Sequence, residues 1–132
     1  MNILHGLISA VERTGHLALV RVRVGETMMT SIVVDPPGGA SEMQQDAPVR
    51  VIFKETEVII GVGSVEHISL RNKLSGTIST IEQGALLSRV TVETAAGPVV
   101  SLITTQAVRQ LELTTGKPVS AMIKTNEIML AK

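Results

Sequence analysis

Ile68-Ser69-Leu70-Arg71-Asn72-Lys73-Leu74-Ser75-Gly76-Thr77-Ile78 opens the second of two similar halves of a 132-residue chain. Most of this stretch has a counterpart 70 positions earlier. Asn2 falls on Asn72, Leu4 on Leu74, Gly6 on Gly76, Ile8 on Ile78, Ser9 on Ser79 and Glu12 on Glu82. The register continues without a gap through Leu17 on Leu87, Val20 on Val90, Val22 on Val92, Ser31 on Ser101 and Glu42 on Glu112. It ends with Pro48 on Pro118, Val49 on Val119, Lys54 on Lys124 and Glu57 on Glu127, giving 15 identities over 62 pairs. Chance pairing gives roughly four at ordinary residue usage. The apolar pattern repeats with the identities, so the chain is a tandem repeat. The same stretch places Ser69, Arg71, Asn72 and Lys73 within five positions. It reads as one wall of an oxyanion site, with Lys124-Thr125 as the opposite wall.

Outward from that stretch, each half reads as five short strands. In the first half they are Leu4 to Arg13, Leu17 to Val24, Met28 to Val34, Pro48 to Lys54 and Thr56 to Ile60. Leu17-Ala-Leu-Val-Arg-Val-Arg-Val24 ends in the alternation of a half-buried strand. Thr14-Gly15 and Gly25-Glu26 turn the chain, and Asp35-Pro-Pro-Gly-Gly39 forbids regular structure. A turn of helix is expected within Ala40 to Gln45, and Gly61-Val-Gly-Ser64 reads as the linker. In the second half the strands are Asn72 to Ile81, Leu87 to Thr94, Pro98 to Ile103, Pro118 to Lys124 and Glu127 to Leu130. Thr104 or Thr105 is placed to cap a short helix reaching Leu113, with Ala107, Val108 and Leu111 on one face and Thr115-Gly116 as its stop. Five strands with one helix between the third and fourth describe an OB-type barrel. The expected fold is all-β: two tandem OB-like five-stranded β-barrel domains, residues 1–63 and 64–132, each with at most one short helix.

Composition narrows the function. Lys+Arg and Asp+Glu are both 12, and net charge is zero. A general nucleic-acid or membrane-surface binder would carry a basic excess. The one aromatic residue, Phe53, cannot build the stacking platform of a single-strand binder. Charge is divided unevenly. Residues 1–66 hold five Lys/Arg and eight Asp/Glu, and residues 67–132 hold seven and four, so an anion prefers the second half. There is no cysteine for a disulfide or thiolate site, which fits a reducing compartment. The start Met1-Asn2-Ile3-Leu4-His5-Gly6 does not read as a signal peptide, and no apolar run approaches the roughly 20 residues of a membrane helix. A cytoplasmic protein is expected. His5, His16 and His67 lack metal-ligand spacing. Asp35, Glu42 and Asp46 read as loop solvation, and no nucleophile stands beside a base. No enzymatic activity is expected.

The second half resembles the Mop family, the molybdate-binding domain also classed with TOBE domains. The family's Ser-Ala-Arg-Asn run, followed by an apolar residue and Gly-Thr-Val, is matched by Ser69-Leu70-Arg71-Asn72 and Leu74-Ser75-Gly76-Thr77-Ile78. Its Ile-Glu-x-Gly-Ala turn is matched by Ile81-Glu82-Gln83-Gly84-Ala85. Its Ser-Ile-Thr segment is matched by Ser101-Leu102-Ile103-Thr104, and its closing run by Val119-Ser120-Ala121-Met122-Ile123-Lys124 and Ile128-Met129-Leu130. Two such domains in one short chain resemble the molbindins, cytoplasmic binders of molybdate or tungstate.

The resemblance implies molybdate or tungstate as bound ligand, with no organic cofactor. It implies sites between domains of different subunits, hence a homo-oligomer, with trimers fitting the pattern. The expected oxyanion-binding residues are Ser69, Leu70, Arg71, Asn72, Thr104, Lys124, Thr125 and Lys54. A tetrahedral dianion needs several donors and positive charge; hydroxyls and backbone N–H groups supply geometry, while Arg and Lys supply charge-assisted bonds. From spacing alone Arg71 and Lys124 read more readily as solvated rim charges, and the resemblance reverses that order.

The first half departs from the pattern. Met1 falls on Arg71, so the serine and arginine have no counterparts. Glu55 replaces Thr125 with a carboxylate that repels an oxyanion. Lys54 remains able to complete a hybrid site with Ser69 and Arg71 of another domain. The expected role is intracellular oxyanion storage, buffering or sensing. The alternative is a regulatory interaction module of a molybdate-transporter ATPase or a transcriptional regulator. An OB-type nucleic-acid binder is disfavoured by the charge and the single aromatic.

Overall fold

A computed structural model describes residues 1–34 and 43–132. Three long strands open the first repeat: β1 (Asn2–Thr14), β2 (Leu17–Val24) and β3 (Thr27–Val34). β4 (Pro48–Phe53) follows, then a 3-10 turn (Glu55–Glu57) and β5 (Ile59–Gly61). The second repeat gives β6 (Asn72–Gln83), β7 (Leu87–Thr94) and β8 (Gly97–Thr104), then the helix α1 (Thr105–Gln110). β9 (Pro118–Ile123), a second 3-10 turn (Thr125–Glu127) and β10 (Met129–Ala131) close it. The all-β, doubled OB-like architecture expected from the sequence is the one observed. The expected helical turn at Ala40 to Gln45 falls partly outside the described residues, and Met43 to Gln45 are not helical.

Alternating apolar residues build the core. Val20, Val22 and Val24 point inward from β2, and Val90 and Val92 do so from β7. Phe53, Val51, Ile78, Val99 and Ile123 are fully buried beside them. In β1 and β6 the inward alternation is reset by a bulge between Ile8 and Ala10 and between Ile78 and Thr80. Ser9 and Ser79, identical in the repeat, are the extra residues, and a bulge bends a strand so that it can wrap a small barrel.

The sheets do not follow the repeat boundary. One has the order β10-β4-β1-β2-β3, the other β5-β9-β6-β7-β8. The short strand ending each repeat is therefore paired in the sheet of the other: Leu130 lies opposite Val51, and Ile60 opposite Ala121. The 3-10 turns are the cause. Glu57 N–H bonds the Lys54 carbonyl at 3.1 Å, and Glu127 N–H bonds the Lys124 carbonyl at 3.0 Å. Each turn breaks what the sequence presents as continuous strand at Thr56 to Ile60 and near Glu127, and sends the chain across.

Side chains identical in the repeat fasten the exchange. Asn72 Nδ2 donates to the Thr30 carbonyl at 2.8 Å and its Oδ1 accepts from Thr30 N–H at 2.7 Å. Asn2 does the same with both backbone groups of Val100, at 2.8 Å each. A carboxamide thus acts as one rung of a β-ladder on the outer edges of β3 and β8, which blunts edges that would otherwise template association. Ser31 Oγ donates to the Ile128 carbonyl at 2.9 Å, and Ser101 Oγ to that of Val58 at 2.7 Å.

The helix ends earlier than the expected stop at Thr115-Gly116. Glu112 turns left-handed at φ 53°, and Leu113 N–H bonds back to the Val108 carbonyl at 2.9 Å. Lys117 Nζ reaches the freed carbonyls of Leu111 and Glu112 at 2.8 and 3.1 Å. Lys117→Met is expected to cost about 1 kcal/mol, because these C-terminal carbonyls lose a charged donor; chemical denaturation checks it.

Candidate functional site

Asn72 and Ile123 form the terminal pair of the β6–β9 ladder. Arg71 and Lys124 are the next residues on each strand, so they leave the sheet side by side, on backbones that run about 4.8 Å apart in paired strands. Arg71 and Lys124, expected on the two walls of a site, are thus neighbours at one corner of the sheet. Arg71 is exposed and hooks back over its own loop. Its Nη2 donates to the Ile68 carbonyl at 2.8 Å and its Nε to that of Ser69 at 3.3 Å. Ser69 is exposed and Leu70 half-buried on this hook. Lys124 is exposed and stands at the N-cap of the turn Thr125–Glu127, where Thr125 is half-buried. Among the described residues neither Arg71 nor Lys124 is paired with a carboxylate. Two cations, two hydroxyls and the backbone N–H groups of an exposed loop are the donors suited to a small oxyanion.

Two expected residues are placed differently. Asn72 is fully buried and its amide is committed to Thr30, so its side chain offers nothing to a ligand. Thr104 lies opposite Leu87 at the end of the β7–β8 ladder, near the Gln83 end of β6 and a strand length from Arg71. Its hydroxyl accepts from Ala107 N–H at 3.1 Å as the helix cap. It lines an open groove of about 740 Å³ with Leu86, Leu87 and Arg109. Within one chain it does not join the Arg71–Lys124 corner.

The first repeat has the matching corner at the end of the β1–β4 ladder, where Asn2 faces Phe53 and Lys54 follows. Lys54 is exposed at the N-cap of its own 3-10 turn. Here, however, Glu55 accepts from Arg89 Nη2 at 2.9 Å and from the amino group of Met1 at 3.3 Å, all on Oε2. Sequence reasoning missed this ion pair, since Arg89 is distant in the chain and falls on Leu19 in the repeat. It also missed the structural role of the asparagines, whose signal was available as the identity of Asn2 and Asn72.

No group of three His, Asp or Glu side chains that could hold a metal ion occurs among the described residues. No helix among them is long and apolar enough to cross a membrane.

A model of the TOBE domain matches residues 68–130. The molybdenum-pterin-binding protein MopB of Rhodobacter capsulatus is 27% identical over 117 residues, covering 86% of this chain and 43% of that protein. The chain thus spans less than half of MopB. A probable molybdenum-pterin-binding protein of Haemophilus influenzae is 36% identical over 64 residues, 48% of this chain and 93% of that protein. Among solved structures, the cytoplasmic molybdate-binding protein ModG, in a form with molybdate bound, matches with a TM-score of 0.89 at 29% identity. That match covers 98% of this chain and 94% of ModG.

Proposed function

We propose, of a chain that belongs to the Mop/TOBE domain family as a tandem member, that it binds molybdate or tungstate as a binding protein rather than an enzyme. The observation that carries the reading is the corner where Arg71 and Lys124 emerge together without a carboxylate partner among the described residues. Arg71 supplies a planar pair of donors once it releases the Ile68 and Ser69 carbonyls, and Lys124 a point charge. Ser69, Thr125 and the N–H groups of Leu70 to Asn72 complete the shell. Thr104 is at the surface and joins a site only from a neighbouring chain; Lys54 offers a cation at the first-repeat corner, where the Glu55 carboxylate competes with a ligand. Exposed Val34 and Leu86, at 76% and 82%, are apolar surface for assembly into a homo-oligomer, of which a trimer is the form we favour. The role is intracellular storage, buffering or sensing of the oxyanion.

The test is calorimetric titration with molybdate, with sulfate as control, alongside solution mass. Arg71→Ala and Lys124→Ala are each expected to weaken molybdate binding about tenfold or more, the loss of a charge-assisted hydrogen bond. Unchanged affinity in both variants would place the site elsewhere. Retention of the oligomer in each variant separates loss of the ligand from loss of assembly.

A further inference from the structure

We infer that Glu55 is a built-in anion that occupies the first-repeat corner and makes the two corners of the chain unequal. The inference rests on the oxyanion reading of the Arg71–Lys124 corner and assigns its first-repeat equivalent. The two corners are related by the 70-residue repeat and carry different charges. At the second, Arg71, Lys124 and Thr125 stand with no carboxylate in an ion pair with either cation among the described residues. At the first, Lys54 is followed by Glu55, which replaces Thr125 and pairs with Arg89, a cation of the other repeat at the position equivalent to Leu19.

The placement of Glu55 is specific. Its side chain is only 17% exposed, and one oxygen, Oε2, takes both the Arg89 guanidinium and the Met1 amino group. It begins the turn that crosses between the sheets, directly after Lys54. An ion pair this close to solvent adds little stability. Its consequence is electrostatic. Arg89 and the Met1 amino group hold one carboxylate oxygen between them, with exposed Lys54 next to Glu55 in the chain, and that oxygen has the hydrogen-bonding habits of an oxyanion oxygen. A dianion approaching this corner must displace Glu55 and then bear its repulsion, so at working concentrations the corner stays filled by the protein itself. The second corner, where Thr125 stands in place of Glu55, is left to the free ligand.

Removing the carboxylate should therefore create binding. In Glu55→Thr, which restores the second-repeat residue, molybdate titration is expected to show about one further anion per chain. Glu55→Gln, nearly isosteric, should show the same gain in weaker form. Adding Arg89→Leu to Glu55→Thr should remove the gain, because the corner loses its guanidinium. The far-UV circular dichroism and solution mass of each variant establish that it is folded. The same substitutions made on the Arg71→Ala/Lys124→Ala background isolate the first corner. If the native protein binds molybdate and neither Glu55 variant adds a site or tightens binding by about tenfold, the inference is overturned while the oxyanion reading stands. If the native protein binds none and Glu55→Thr does, the second-corner reading falls and the inference holds. Absence of binding in all of them overturns both.

Discussion

Replacing Asn72 with alanine is expected to lower stability by about 3 kcal/mol, and the melting temperature by roughly 10 °C in a chain of this size. The side chain is fully buried and both of its polar ends are bonded to the backbone of Thr30, at 2.7 and 2.8 Å. Each bond contributes about 1 kcal/mol net. The larger cost is that the Thr30 N–H and C=O, on the outer edge of β3, lose a partner at a part-buried position. Asn72→Asp is expected to be no better, since it keeps the acceptor for Thr30 N–H but turns a negative oxygen toward the Thr30 carbonyl. The same loss should reach ligand binding, because Asn72 anchors the end of the ladder from which Arg71 emerges. Thermal melts of Asn72→Ala and Asn2→Ala check the account. A change under about 0.5 kcal/mol, the range of ordinary surface substitutions, would mean that the carboxamide rungs are incidental and the sheets are held by apolar contact alone.

Gly76→Ala should be comparably damaging, by about 3 kcal/mol at the upper range of overpacking, and Gly76→Val is expected to prevent folding. Gly76 is opposite Thr94 in the β6–β7 ladder, and a Cβ there would run into the backbone carbonyl of Glu93. The obstacle is main chain of a paired strand, which cannot rotate aside. Gly6 repeats the arrangement, with the Arg23 carbonyl 2.6 Å from where its Cβ would be. Gly15 is the control: nothing among the described residues lies within 4 Å of its Cβ position, and its φ of 60° is what opposes a side chain. Gly15→Ala should then cost about 1 kcal/mol. Urea denaturation of the three alanine variants gives the order directly, and equal losses at Gly15 and Gly76 would refute the close-approach explanation.

These two sites also show what a repeat identity encodes. Asn2/Asn72, Gly6/Gly76 and Ser31/Ser101 are identical pairs, and each answers a backbone requirement that occurs twice. Lys54/Lys124 is the identical pair whose side chains are exposed at a corner, where the backbone asks only for an extended N-cap. Arg71 has no counterpart because the repeat places Met1 there. The asymmetry of the corners is thus visible in the chain as a substitution pattern, but its chemistry depends on Arg89, which no local spacing connects to Glu55.

From the sequence by itself come the doubling, the all-β class, the order of the strands along the chain and the capped helix after Thr104. All are consequences of local periodicity, turn chemistry and a repeat that any reader can align. Only the tertiary structure decides that β5 and β10 change sheets, that Asn72 faces Thr30 rather than a ligand, that Thr104 stands apart from Arg71, and that Glu55 meets Arg89. The reason is physical. Alternation records which face of a strand is buried, and it is the same for either sheet that the strand might join. The choice of edge is made by 3-10 turns of three residues and by side chains that complete a neighbour's ladder. Those are contacts over sequence separations of 98 and 42 residues, and no residue-by-residue pattern along the chain carries them.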